Sequence, residues 1–410
     1  MDFTDTPEEA KFRAEVRAFL SANAEPKGES GQTFPIPYGD DRLVPVAKDW
    51  QRRKAEAGLA GITWPTEYGG RGLPQIYQVI YNQEEENYLV PRGVFEIGLG
   101  MCIPIMMTFA TEEQKQRFVG PALRGEEIWC QLFSEPAGGS DLAGLRTRAV
   151  RDGDDWVLNG QKIWTSGAHF SDWGIIVVRT DPSAPKHKGL SFFFLDMKSP
   201  GISVKRIKQI AGTSNFNEVF FTDVRVPDSQ RLGRVGEGWK VAIATLMNER
   251  LAVGNTPAPD FPEIFRLARR LELEDGPAIR NAMVRDRLAD WYVQQQGLKY
   301  AKFRTMTALS RGGTPGPESS MTKIVSANKR QAIAKLGVEL MEMAGSVSDP
   351  DLAPMQAMMQ EALLSSPGNR IAGGTDEILR NIIAERVLGL PQDVRVDKDI
   401  PFQDLVASGR

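Results

Sequence analysis

Apolar residues recur at helical spacing over the first third of the chain. Thr6-Pro7-Glu8-Glu9 supplies a cap, a proline at the first helical position and a glutamate three residues after the cap. Phe12, Val16, Phe19 and Leu20 then share one face. A second cap, Thr111-Glu112-Glu113-Gln114, precedes Phe118. From Ile128 the pattern shortens. β-Branched and aromatic runs alternate with turns: Trp156-Val157-Leu158 before Asn159-Gly160, then Gly174 to Val178, Leu190 to Leu195 and Glu218 to Phe221. Asn159-Gly160 predicts a hairpin turn. After Pro227 and the glycines 233, 236 and 238, helical spacing returns, with Trp239, Ala242, Ile243, Leu246 and Val253 on one stripe. Segments 280–309, 321–344 and 374–388 read as helices, and Gly254–Pro262 and Arg311–Ser320 as loops. The fold class expected is α+β multidomain: an N-terminal α-helical domain over 1–127, a central β-domain over 128–232, a C-terminal helical domain over 233–395 and a tail over 396–410.

The 410 residues suffice for two or three domains with sizeable cores. Lys and Arg total 50 and Asp and Glu 53, so no basic surplus exists to neutralise a nucleic-acid backbone. The acidic start, Met1 to Glu9, lacks the basic and apolar regions of a secretory signal. The longest apolar-leaning run, Leu99 to Ala110, contains Gly, Pro and Thr and is too short to span a bilayer. Cys102 and Cys130 form no CxxC pair, and His169 and His187 are the only histidines. A disulfide framework and a metal site are therefore not expected. The expectation is a cytoplasmic protein with no metal, no membrane span and no nucleic-acid partner.

No GxGxxG follows a strand: after Gly236-Glu237-Gly238, Val241 stands at the third glycine position. There is no P-loop, and neither histidine sits in a nucleophile-elbow context. Four constellations remain. Gln131 to Asp141 starts as a strand and turns through Pro136, Gly138 and Gly139, letting backbone N–H groups and the Ser134 and Ser140 hydroxyls approach a polar ligand. It reads equally as a solvent-exposed turn ending in an Asp cap. Gly160 to Gly167 carries Trp164, Thr165 and Ser166, suited to an aromatic ring system with hydrogen-bonding edges, or to a β-core with a buried Trp. Gly236 to Val253 puts Glu249 on the apolar stripe, where lost hydration raises a carboxyl pKa toward general-base range. The alternative is a structural Glu249–Arg250 pair near the helix end. Arg370 to Ile378 reads as a helix N-terminus capped by Thr375, either an ordinary cap or a set of donors for an anion or a carbonyl.

In this order, within a helix–sheet–helix layout, the four constellations closely resemble the acyl-CoA dehydrogenase family of flavoproteins over residues 5–390. The most specific stretch runs from Ser134-Glu135-Pro136 through Lys162-Ile163-Trp164 to Phe220–Pro227. The resemblance implies an N-terminal α-domain, a central β-domain and a C-terminal four-helix bundle, with FAD between the last two. It implies cofactor contacts at Phe133 and Ser134 on a strand along the flavin, and at Gly139 and Ser140 near the pyrophosphate and thioester. It implies further contacts at Trp164 beside the isoalloxazine, Ser166 near its N5 edge, and Thr375 and Glu377 toward the adenosine diphosphate. Substrate contacts are implied at Ser140, Arg250, Gly373 and Gly374.

Many family members carry a glutamate base immediately before the Gly-Thr of the closing motif; here that position is Gly373. The isovaleryl and long-chain branches place the base on the first helix of the C-terminal bundle, in a Glu-Arg pair that Asn248-Glu249-Arg250-Leu251 matches. The resemblance thus implies that Glu249 takes the α-proton of an acyl-CoA thioester while the β-hydride passes to flavin N5. The product is the trans-2-enoyl thioester, and the electrons pass to an electron-transferring flavoprotein. The Gly373 N–H is implied to hold the thioester oxygen, and the missing side chain leaves volume for a large or branched acyl group. Gly254 to Phe261 replaces the family's Arg-x-x-Phe-Gly segment, which reaches the FAD of a neighbouring subunit, and Glu342 replaces a usual Gln. A homo-oligomer such as a tetramer and a hetero-oligomer with a related subunit both stay open. So do two other roles for the fold: the partner subunit of a heteromeric enzyme, and an oxygen-using flavin oxidase.

Overall fold

The computed structural model describes residues 5–28, 34–252, 258–310, 316, 319–394 and 397–407. They fall into two compact units. One holds the residues up to 26, 34–252 and from 393 onward; the other holds Lys27, Gly28 and the described part of 253–392.

The first unit begins with five helices: α1 (Pro7–Asn23), α2 (Leu43–Glu56), α3 (Gln75–Glu85), α4 (Ile103–Phe109) and α5 (Glu112–Leu123). Both expected caps form as reciprocal capping boxes, Thr6 with Glu9 and Thr111 with Gln114. Phe12, Val16 and Leu20 bury the expected face of α1 with Ile80 and Tyr81 of α3. Each such side chain contributes about 1.5–3 kcal/mol by leaving water.

Seven strands follow: β1 (Trp129–Leu132), β2 (Arg148–Asp152), β3 (Asp155–Ser166), β4 (Trp173–Arg179), β5 (Leu190–Asp196), β6 (Ile202–Ile207) and β7 (Phe216–Pro227). They form one sheet in the order β1-β4-β2-β3-β7-β6, with β5 on the other edge of β4. The contacts of β4 with β1 and β2 are parallel and the remaining pairings antiparallel. β4 is buried on both faces. Ile175 and Val177 join Phe192 and Phe194 against the helices, while Ile176 and Val178 join Phe193, Leu158 and Val219 on the opposite side.

The expected hairpin at Asn159-Gly160 is absent. β3 runs straight through it, and the β2–β3 turn lies earlier, where Asp152 pairs with Asp155 and Gly153 takes φ +64°. Gly160 instead marks a bulge opposite β7. At φ +152° it lies so close to Thr147 that an added Cβ would sit 2.5 Å from the Thr147 Oγ1. A strand glycine marks a close backbone approach as readily as a turn.

Helix α6 (Gly238–Ala252) belongs to this first unit. Gly238 rests on the backbone of Leu190 and Ser191, where an added Cβ would approach to 2.6 Å. That contact turns Val241, Ala242 and Thr245 inward and leaves Ile243, expected on the buried stripe, 42% exposed. Trp239 and Leu246 are half-buried, and Val253 lies outside the described residues.

The second unit is helical: α7 (Phe261–Arg270), α8 (Ala282–Ser310), α9 (Ser319–Leu340), α10 (Met358–Asn369) and α11 (Asp376–Arg386). Ile264, Leu267, Val284, Leu288, Trp291, Ile333 and Met359 form its core. The sequence reading missed α7 and α10. For α7 a signal was present: Asp260 caps it in a reciprocal box with Glu263. A last helix, α12 (Phe402–Ala407), returns to the first unit, where the Phe402 ring lies 3.7 Å from the Arg179 guanidinium. The architecture is thus an N-terminal helical domain, a central β half-barrel and a C-terminal helical domain.

Candidate cofactor and substrate site

The Ser134 turn and the Trp164 segment are bound to each other through a buried charge. Lys162 on β3 is fully buried, and its Nζ donates to Glu135 Oε1 at 2.8 Å and to the Phe133 carbonyl at 3.0 Å. Glu135 accepts in turn from the Arg146 and Thr147 amides at 2.6 and 2.9 Å. Burial works to raise the Glu135 pKa, but the Lys162 charge and these hydrogen bonds hold it below the usual carboxylate range. Burial pulls the Lys162 pKa down, with Glu135 opposing. One residue further, the Ile163 N–H donates to the Ser134 carbonyl at 2.8 Å. Reciprocal 3.0 Å bonds between Glu135 and Gly138 close the turn.

Directly after this clamp the ladder between β3 and β7 slips, between Lys162 and Thr165. Trp164 sits in the slip at φ +59°, a left-handed backbone that costs a non-glycine residue about 1–2 kcal/mol. Its indole is 54% exposed and meets Phe216 edge-on at 5.9 Å. A large aromatic held strained and half in water calls for a partner, since such strain persists mainly at functional sites. Beside it, Thr165 is buried with its Oγ1 unpartnered among the described residues. The Thr165 carbonyl accepts from Asn217 Nδ2 at 2.9 Å, and Asn217 Oδ1 meets His169 Nδ1 at 3.1 Å. Burial pushes up the pKa of the neighbouring Tyr38, with the Ser166 hydroxyl opposing.

The Phe133 ring is buried in the core, edge-on to Phe192 at 5.8 Å, and its carbonyl is the one that Lys162 holds. Gly139 and Ser140 are exposed, and a Cβ at Gly139 would meet nothing within 4 Å. The loop after them is held by Arg179, which donates to the Ala143 and Leu145 carbonyls at 2.6 and 3.4 Å. Burial lowers the Arg179 pKa to about 10.

In the second unit, Gly373 and Gly374 take φ +64° and +93° immediately before α11. The Thr375 Oγ1 caps the helix, accepting from the Ile378 N–H at 3.2 Å, as expected. Asp376 is buried and accepts from Arg370 at 2.7–2.8 Å and from Asn328 at 3.1 Å. Lys323 of α9 donates to the Ala372 carbonyl at 2.5 Å and to that of Gly374. Glu377 is exposed.

The structure thus brings Phe133, Ser134, Trp164 and Ser166 together in one unit, and Gly373, Gly374, Thr375 and Glu377 in the other. Glu249 and Arg250 lie in the last turn of α6, and their side chains fall outside the described residues. Glu135, Lys162, Asn217, Arg179 and Lys323 were not singled out as site residues. A lysine inside an alternating strand was the available signal for Lys162. The others have partners far off in sequence and left none.

Family models for the acyl-CoA dehydrogenase N-terminal, middle and C-terminal domains match residues 6–126, 130–224 and 236–388. The chain belongs to the acyl-CoA dehydrogenase family. It is 35% identical over 392 residues to the acyl-CoA dehydrogenase IpdE1 of Mycobacterium tuberculosis, covering 94% of this chain and 98% of that one. Among solved structures, it is similar to the Tcur3481-Tcur3483 steroid ACAD, with a TM-score of 0.78, 27% identity, and 96% and 100% coverage. It is also similar to the ChsE4-ChsE5 complex from Mycobacterium tuberculosis, with a TM-score of 0.77, 26% identity, and 96% and 100% coverage. An acyl-CoA dehydrogenase is an oxidoreductase, and the family is generally FAD-dependent. The residues present fit such a group: an exposed indole for an aromatic ring, the Ser134 and Ser166 hydroxyls for its polar edge, and an orphaned Thr165 hydroxyl beside them. Among the described residues no cluster of His, Cys, Asp and Glu could hold a metal ion, and no helix is long and apolar enough to cross a membrane.

Proposed function

We propose that this acyl-CoA dehydrogenase family member oxidises an acyl-CoA thioester to the trans-2-enoyl-CoA with Glu249 as the base. The observation that carries the reading is the strained, half-exposed Trp164 clamped beside Ser134 by Lys162 and Glu135. When bound, FAD supplies the acceptor for the hydride that leaves carbon three, and an electron-transferring flavoprotein then takes up the electrons. Trp164 packs on the ring system, and Ser134 and Ser166 give its edge hydrogen bonds. Gly139 and Ser140 hold the pyrophosphate and thioester region, and Thr375 and Glu377 the adenosine diphosphate. Glu249 removes the proton from carbon two, with Arg250 and Gly374 lining the acyl thioester. The Gly373 N–H stabilises the oxygen on which negative charge develops. The setting is cytoplasmic.

Purified protein is expected to be yellow and to bleach with the correct thioester in a screen of acyl-CoA substrates. Glu249→Gln is expected to keep the colour and lose about 10³-fold in bleaching rate, within the usual range for a general base. Full turnover by that variant would defeat the base assignment.

A second reading concerns assembly. Two similar structures are named for pairs of proteins, one of them a steroid ACAD. With Gly254–Phe261 in place of the usual intersubunit segment and Gly373 leaving room for a bulky acyl group, this favours a hetero-oligomer acting on a large ring-containing thioester. A chain that is colourless alone and yellow only when co-purified with a related subunit would support it. A yellow homotetramer would not.

A further inference from the structure

The turn before α11 presents a peptide whose two ends can be treated separately. The carbonyl of Ala372 and the N–H of Gly373 belong to one planar unit and point in opposite directions. Lys323 Nζ holds that carbonyl at 2.5 Å and also holds the Gly374 carbonyl, which shares its peptide with the Thr375 N–H. The Gly373 N–H has no hydrogen-bond partner among the described residues. Around it the turn is otherwise tied down: Arg370 bonds to Asp376 and Gln331, Asn328 bonds to Asp376, and the Asp376 N–H returns to the Arg370 carbonyl at 3.2 Å.

We propose that Lys323 is a positioning residue for the dehydrogenation. By holding the Ala372 carbonyl, it fixes the 372–373 peptide plane, so that the Gly373 N–H points away from α9 toward the thioester oxygen. An ammonium on the carbonyl end also polarises the peptide and makes that N–H a stronger donor, since linked hydrogen bonds reinforce one another. The inference rests on the reading that Gly373 holds the thioester oxygen. It adds a residue at the far end of the same peptide, contributed by another helix. A positive-φ glycine permits this peptide orientation but does not select it; the lysine selects it.

The test uses the holoenzyme and acetoacetyl-CoA, a thioester acidic enough to bind as its enolate without turnover. The midpoint of enolate formation, read by absorbance against pH, reports stabilisation of the oxygen. Lys323→Met is expected to raise the midpoint by about one pH unit, a tenfold loss of stabilisation. In the acetoacetyl-CoA complex, where the thioester oxygen protects it, the Gly373 N–H should exchange about tenfold faster. Lys323→Arg, which keeps a charged donor, should restore most of both. An unchanged midpoint in Lys323→Met, with only a lower Tm, would make Lys323 merely structural and overturn the proposal. Wild-type protein that leaves acetoacetyl-CoA as acidic as it is in water would instead sink the acyl-CoA reading beneath it.

Discussion

The Trp164 segment and the Gly373 turn are both irregular backbone held by a lysine from a regular element, but the two lysines are housed differently. Lys162 is sealed in the sheet and faces a carboxylate that is itself fully hydrogen-bonded. Lys323 is half-buried and donates to two backbone carbonyls. A sealed ion pair admits one arrangement, because losing either partner strands a charge. Carbonyls held by an ammonium can shift by fractions of an ångström at little cost. On the proposed reading, the rigid platform serves a bound ring and the adjustable donor a substrate that comes and goes.

The contrast can be broken at its stiff end first. Lys162→Met should destabilise the protein by about 3–5 kcal/mol, the usual cost of stranding one partner of a buried pair. Urea denaturation measures this. A loss below about 1 kcal/mol would show that the pair is not the clamp. The same pair predicts an acid response. Because Glu135 has a lowered folded pKa, its contribution is complete above the unfolded value, near 4.3, and fades as pH falls through the folded one. Glu135→Gln should flatten that part of the stability–pH curve.

At the adjustable end, Thr375→Ala removes a single cap bond and should cost about 1 kcal/mol. Thermal melting should register it as a small decrease in Tm.

The smallest expected change in stability belongs to Trp164→Gly. Relief of about 1–2 kcal/mol of left-handed strain is offset by glycine entropy of about 0.5–1 kcal/mol and the lost Phe216 contact. Net stability should stay within about 1 kcal/mol of wild type. Flavin retention in gel filtration should nevertheless fall sharply. A large loss of stability with flavin retained would mean that Trp164 serves the fold.

The elements held locally were the legible ones. The caps at Thr6, Thr111 and Thr375 are each written within four residues, and all three form. The order of helices, sheet and helices followed from periodicity. Asn159-Gly160 misled because a bulge and a turn use the same residues, and only the distant Thr147 decides between them. Ile243 misled because the α6 stripe is aimed by the contact of Gly238 with Ser191, not by its own spacing. The positive φ of Trp164 had no local signal, since tryptophan seldom adopts it. Lys323 reaches carbonyls 49 and 51 positions away, and one sequence does not reveal such a pairing.

The seat of Gly238 against the strand backbone has a mechanical consequence. From there to Glu249 the helix extends about 16 Å at about 1.5 Å per residue, so it works as a lever with its fulcrum on the sheet. A methyl group at the fulcrum that tilted it by about 5° would swing the far tip by about 1.4 Å, and misplacements near 1 Å already cost about 10²-fold in rate. The position of the α6 tip, where the proposed base Glu249 lies, is therefore set by a residue with no side chain, at the opposite end of the rod.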